Sequence, residues 1–160
     1  MSSDKIYFED FYPGQTMELG TFSFTEAEII EFASRYDPQF FHMRPDLAHE
    51  SPFGGLIASG WHTCSQMMRL LVDNCVANSS CMGSPGTESL RWLRPVRAGD
   101  KIRTSIVVTE VRPSASKPDR GTVQFDWHAW NERDEQVVAI KGVLIYGRRP
   151  ATDKGGEGHA

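Results

Sequence analysis

Length, composition and charge restrict this chain to a few classes of protein. The chain has 160 residues and a formal net charge of −4. A domain of this size buries about 70% of its unfolded surface and needs neither metals nor disulfides to fold. Lys and Arg are scattered along the chain and form no basic stripe of the kind that neutralises phosphates. We therefore expect a single core and no nucleic-acid partner.

Cysteine usage and hydropathy predict the compartment. Cys64, Cys75 and Cys81 form no Cys-x-x-Cys pair, which disfavours both a disulfide framework and a zinc knuckle. The N-terminus lacks a basic segment followed by an apolar run, and no apolar stretch approaches the ~20 residues of a membrane span. We expect a cytoplasmic protein that does not associate with membranes.

A short strand and an amphipathic helix are predicted first along the chain. Residues 17–22 have the composition of a strand. Thr25 and Glu28 form a capping box, after which one apolar helical face follows at Ile29, Phe32, Ala33 and Tyr36. The helix should end at Asp37, because Pro38 disfavours a helical backbone in the residue before it.

The middle of the chain predicts a long loop and a second helix. Proline and paired-glycine signals recur through residues 37–60, so we expect an irregular loop with one helical turn near 46–49. The second helix is predicted over 61–76, with positions 61, 64, 68, 71, 72 and 75 on one buried face that Met67 and Leu70 broaden.

The C-terminal half predicts β-structure. Strands are expected over 88–93, 102–111, 122–130 and 137–146. The connections between the long strands leave no room for helices, so those strands should form antiparallel hairpins. The predicted fold class is α+β, a curved antiparallel sheet wrapped around a central helix. We expect one domain over residues 1–147 and a disordered tail over 148–160.

Three features of the central segment bear chemistry. Asp37 and His42 place a carboxylate and an imidazole five positions apart. Ser59 and Gly60 lie where N–H groups at a helix start have no intrahelical partner and the helix dipole is positive. Taken singly, these residues are also typical of a helix end, a loop histidine and a helix cap. Together they supply an acid–base pair and an oxyanion site, which is what adding water next to a carbonyl requires.

These residues also carry a resemblance to a known family. The chain resembles the MaoC-like dehydratases and R-specific enoyl-CoA hydratases over roughly residues 10–146. The matching positions are Asp37, His42, Ala48, Phe53-Gly54-Gly55, Ile57-Ala58, Gly60, Pro95-Val96 and Gly99-Asp100-Lys101. The resemblance implies a hotdog fold, a homodimer or a higher assembly of dimers, and an acyl-CoA thioester substrate of fatty acid metabolism. No cofactor and no metal are expected.

The resemblance also implies roles for individual residues. Asp37 and His42 would hold the catalytic water, and the N–H of Gly60 would donate to the thioester oxygen. Ser59 is the other candidate for a substrate-binding residue. We interpret His42 as the base and Asp37 as the partner that positions water and carries the second proton, although a coupled pair leaves the proton's location open at this point.

The chain departs from the family pattern around this pair. Pro38 follows the aspartate directly, Gln39 occupies the place of the family's asparagine, and Phe41 replaces an aliphatic residue. Ser59 replaces the histidine of an Ala-His-Gly motif, and Met43-Arg44 replaces an x-Asp pair. These differences concern the surroundings of the pair and the choice of substrate.

Alternative functions stay open from sequence. Other hotdog proteins hydrolyse acyl thioesters, so a thioesterase is one alternative, and a non-catalytic acyl-CoA-binding module is another. Arg91, Arg94, Arg97 and Lys101 are candidates for contacting the phosphates of a coenzyme, or form a solvated strand end. A metal site built from His42, Asp46 and His49 is disfavoured because Pro45 interrupts any shared helical face.

Overall fold

Residues 4–152 form five strands and three α-helices. The computed structural model describes residues 4–152. The strands are β1 Thr16–Phe22, β2 Thr87–Trp92, β3 Ile102–Pro113, β4 Arg120–Trp130 and β5 Gln136–Gly147. The helices are α1 Glu26–Tyr36, α2 Phe40–Met43 and α3 Gly60–Leu71, with 3-10 turns at Phe8–Asp10 and Ala48–Glu50 and a π-helical turn at Val72–Val76.

All five strands belong to one sheet in the order β1-β3-β4-β5-β2. Every neighbouring pair is antiparallel, as predicted for the long strands. Alternation along β4 is strict, since Val123, Phe125, Trp127 and Ala129 are buried and the residues between them are partly exposed. The buried face of the sheet packs against α3 in one apolar core that includes Met67, Leu71 and Phe125. The predicted α+β architecture, a sheet around a central helix, is confirmed.

The orientation of α3 differs from the prediction. The buried residues of α3 and the π-helical turn are Thr63, Met67, Leu71 and Cys75. Trp61 is 58% exposed and Met68 47% exposed, whereas we predicted both on the buried face. Apolar residues occur on two sides of this helix, so the periodicity does not select which side meets the sheet. The residues that pack into the core are instead the four named above, which are spaced four apart along the helix.

Helix α1 begins and ends as predicted. Thr25 Oγ1 accepts a hydrogen bond from Glu28 N (3.1 Å), and Glu28 Oε1 accepts one from Thr25 N (3.2 Å), which completes the capping box. The helix ends at Tyr36, and Asp37 follows with a non-helical backbone. The carboxylate of Asp37 is thereby placed at the C-terminal end of α1.

The loop between α1 and α3 contains more helix than predicted. The expected turn near residues 46–49 is present as the 3-10 turn at 48–50, but α2 was not predicted. The ring of Phe41 lies 5.3 Å from the rings of both Phe40 and Phe53. This aromatic packing supports α2, which carries His42.

The C-terminal boundary of the predicted domain lies within the described residues. Beyond the predicted boundary at 147, Arg148 Nε lies 3.2 Å from Glu9 Oε1, and Arg149 Nη2 lies 2.9 Å from Asp10 Oδ1. The first two residues of the predicted tail therefore contact the domain, and its last eight, 153–160, lie outside the described residues. Within residues 4–152, no helix has the length and apolar character required to cross a bilayer.

Candidate active site

Asp37 is held by hydrogen bonds on both carboxylate oxygens. Oδ1 accepts from Gln39 Nε2 (2.7 Å) and Oδ2 accepts from Ser59 Oγ (2.7 Å). Burial raises the pKa of Asp37, but the hydrogen bonds from Gln39 and Ser59 and the charge of His42 outweigh burial, so the pKa lies below the ordinary aspartate value. The structure therefore favours the carboxylate form.

His42 is buried and points at the same carboxylate. Its Nδ1 lies 2.7 Å from the carbonyl oxygen of Ile57, and its Nε2 lies 3.2 Å from Asp37 Oδ2. A carbonyl oxygen can only accept, so Nδ1 carries a proton and Nε2 is the nitrogen that can exchange one. This tautomer leaves His42 Nε2 available as a base next to Asp37.

The start of α3 provides backbone donors. Neither Gly60 nor Trp61 uses its N–H in a hydrogen bond within residues 4–152, as expected for the first residues of a helix. A side chain at position 60 would collide with Trp92, because an added Cβ would lie 2.3 Å from Trp92 Cε2. Glycine is therefore required for the close approach of β2 to this helix.

These groups meet in one cavity of about 520 Å³. Asp37, His42 and Gly60 all line it, and its walls are mainly apolar and aromatic. The volume falls in the usual range for small-molecule sites, about 300–1,000 Å³. The cavity thus brings together three of the four site residues predicted from the sequence.

Ser59, the fourth predicted residue, does not line the cavity. Its side chain is fully buried and donates to Asp37. We therefore expect Ser59 to orient the carboxylate from behind and not to contact a substrate. The sequence could not reveal this contact, because it joins residues 22 positions apart.

Several residues of the cavity were not predicted from the sequence. Trp92 of β2 and Val138 of β5 form part of its wall, and sheet pairing brings their strands together. Trp61, which we expected in the core, also lines the cavity, and its ring packs edge-on against Trp92 with centroids 5.0 Å apart. No sequence signal indicated Trp92, because its exposure and its position in an edge strand are known only from the structure.

The four basic candidates are placed differently. Arg94 lines the cavity, and its guanidinium lies 3.0 Å from Glu135 Oε2. Arg97 donates to the carbonyl oxygen of Phe53. Arg91 and Lys101 are exposed and outside the cavity lining. Of these four candidates, Arg94 is the one that lines the cavity.

The structure also places the residues weighed for other roles. Asp46 pairs with Arg44 (Nη2 to Oδ2, 2.7 Å). His128 lies outside the cavity lining and contacts Gln136 across the β4–β5 hairpin. Within the part of the chain that the structure describes, no group of three His, Cys, Asp or Glu side chains is arranged to hold a metal ion.

Comparison with known proteins agrees with this geometry. The family model described as "MaoC like domain" matches residues 10–127. The chain belongs to the MaoC-like domain family. A solved MaoC-like dehydratase from Rhodospirillum rubrum is 36% identical, covers 91% of this chain and 99% of its own, and superposes with a TM-score of 0.84.

Two further proteins are similar to this MaoC-like chain. A 3-hydroxybutyryl-CoA dehydratase from Methylorubrum extorquens is 27% identical over 68% of this chain and 67% of its own length. A Mycobacterium tuberculosis protein with a double hotdog fold has a TM-score of 0.70 at 18% identity and covers 91% of this chain and 45% of its own. The latter likeness shows the fold alone, and the predicted hotdog fold is confirmed.

Proposed function

We propose that this chain is a hydro-lyase that reversibly adds water to a 2-enoyl thioester, most simply of coenzyme A. One observation carries the proposal: His42 Nε2 and Asp37 Oδ2, 3.2 Å apart, share an apolar cavity with the N–H of Gly60. Membership of a family that contains dehydratases supports the reaction class. We place the reaction in the acyl-CoA metabolism of the cytoplasm.

The geometry accounts for each chemical requirement of hydration. A water molecule held by His42 and Asp37 would lose a proton to His42 as its oxygen attacks the β-carbon. Negative charge then develops on the thioester oxygen, where the Gly60 N–H and the positive end of the α3 dipole can stabilise it. The apolar wall would hold the acyl chain, and Arg94 at the cavity can meet an anionic part of the substrate.

We further propose that the protein acts as a homodimer. Strand β2 is an edge of the sheet, and an unpaired edge is a site for association. Large apolar side chains are exposed at the end of β2 and on α3: Trp92 (45%), Leu93 (44%), Trp61 (58%) and Met68 (47%). Pairing two copies along β2 would cover these side chains and extend the wall of the cavity.

A spectrophotometric assay separates this proposal from its alternatives. With crotonyl-CoA and longer or branched enoyl-CoAs, a hydratase removes the absorbance of the conjugated thioester and releases no thiol. Release of free thiol without prior loss of that absorbance would indicate a thioesterase. Tight binding of acyl-CoA with neither change would indicate a non-catalytic binding module.

A further inference from the structure

Two residues at N-cap positions do not cap their helices with their side chains. Ser59 is the N-cap residue of α3 and Gln39 is the N-cap residue of α2, yet neither side chain caps its helix. An N-cap serine normally accepts a hydrogen bond from an N–H in the first turn. Here both side chains donate to Asp37 instead.

Ser59 therefore affects two parts of the site at once. Its hydroxyl proton goes to Asp37 Oδ2, and the first N–H groups of α3 remain open toward the cavity. The side chain is completely buried, so no solvent competes for this hydrogen bond. A buried hydroxyl with a single acceptor is a strong constraint on the position and charge of that acceptor.

The two donors favour the ionised carboxylate. The Gln39 amide nitrogen can only donate, so a proton on Asp37 Oδ1 would weaken that hydrogen bond or force the amide to turn. A proton on Oδ2 would compete with the hydrogen bond that the buried Ser59 hydroxyl donates to the same oxygen. The carboxylate and the unprotonated Nε2 together form two adjacent acceptors, which can hold one water molecule by both of its protons.

We propose that Ser59 and Gln39 are positioning residues that keep Asp37 ionised throughout the cycle, so that His42 alone carries the transferred proton. This proposal rests on the hydratase function proposed above. Water loses a proton to His42 Nε2 while its oxygen bonds to the β-carbon, and the electrons of the double bond move to an enolate. The N–H bond at Nε2 then breaks and the same proton is delivered to the α-carbon. Asp37 orients the water and stabilises the imidazolium without being protonated.

The surrounding charges agree with this assignment. The titratable side chains that line the cavity with Asp37 are Tyr36, His42 and Arg94. Arg94 is paired with Glu135, and the hydrogen bonds from Gln39 and Ser59 lower the pKa of Asp37. An imidazolium at His42 adds to this effect once the proton has moved to Nε2. Among the described residues, no second carboxylate lines the cavity beside Asp37, so nothing in its lining favours a carboxyl proton shared between two acids.

The test is a titration of Asp37 in the free protein. The ¹³C signal of the Asp37 side-chain carboxyl, assigned with an Asp37→Asn variant, is followed against pH in wild type and in Ser59→Ala. We expect a wild-type midpoint below the ordinary aspartate value, raised by roughly one to two pH units when the Ser59 hydroxyl is removed. Ser51→Ala is the matched control, because its buried hydroxyl bonds the carbonyl oxygen of Ala48; it should leave the midpoint unchanged.

Gln39→Leu is the second variant, in case Ser59→Ala does not fold. Because Gln39 is exposed, we expect this substitution to leave the fold intact. It should also raise the Asp37 midpoint, and should lower kcat for enoyl-CoA hydration about tenfold or more with a smaller change in KM. A wild-type midpoint at or above the ordinary value, or variants that do not move it, would overturn the proposal. The titration needs no substrate and can therefore be read independently of activity. If the midpoints are as expected but the protein does not hydrate enoyl-CoA, only the proposed function is refuted.

Discussion

Adding one methyl group at Gly60 should disable the site with little loss of stability. The Cβ of Gly60→Ala would lie 2.3 Å from Trp92 Cε2 and 2.4 Å from Nε1, about 1 Å closer than ordinary contact allows. Either the Trp92 ring or the start of α3 must therefore move by that distance. A 1 Å misplacement of a group at the reacting centre can cost about 10²-fold in rate. We expect kcat to fall by roughly that factor.

The stability change should be small because two effects oppose each other. Overpacking costs about 1–3 kcal/mol, whereas replacing glycine by alanine within a helix gains about 1 kcal/mol. Gly60 does not have a positive φ, so the backbone adds no strain. The melting temperature should fall by a few degrees at most.

The assay is initial-rate hydration of crotonyl-CoA at saturating substrate, alongside thermal unfolding followed by circular dichroism. Gly55→Ala is the control from the same segment: its added Cβ would lie 3.3 Å from the flexible Arg97 Nη1, and we expect less than about a tenfold loss of kcat. Trp92→Ala in the Gly60→Ala background should restore the melting temperature. A folded Gly60→Ala protein with wild-type kcat would refute the placement of Gly60 at the reacting centre.

Three further predictions concern stability and assembly. Burial lowers the pKa of His62, and the charge of Glu28 opposes this effect. The stability that comes from burying neutral His62 is therefore complete above about pH 6.5 and is lost as the pH falls. His62→Phe should reduce the difference in melting temperature between pH 8 and pH 5. Removal of residues 148–160 deletes two exposed ion pairs, each worth at most about 1 kcal/mol, so the melting temperature should fall by only a few degrees. Met68→Glu places a charge on the exposed apolar side of α3 and should weaken a dimer at least about tenfold by light scattering; a wild-type monomer would contradict the edge-pairing proposal.

Local signals predicted the parts of the fold that depend on neighbours in sequence. The capping box at Thr25 and the proline after Asp37 located both ends of α1, and alternation located the long strands. The buried side of α3 was predicted only in part. Leu71 and Cys75 are buried as expected, but Trp61 and Met68 make the exposed side as apolar as the core side. Which of the two apolar sides of α3 is buried depends on how the helix packs against the sheet.

The candidate site also has a part that was predicted from the sequence and a part that was not. The spacing of Asp37 and His42 indicated the pair, and the structure brings them to 3.2 Å. The bond from Ser59 to Asp37 and the contact of Trp92 with the position of Gly60 depend on how α1, α3 and β2 meet. Such contacts between distant segments leave no periodic or spacing signal in a single sequence.

The most direct test of the central claim is the turnover of enoyl-CoA by Asp37→Asn and His42→Ala, separately and together. If both residues act on one water molecule, each variant should lose at least about 10²-fold in kcat. The double variant should lose little more than the worse single variant, because the two residues act as a unit. All three proteins should fold as the wild type does by circular dichroism. Near-normal hydration by either folded single variant would contradict the account.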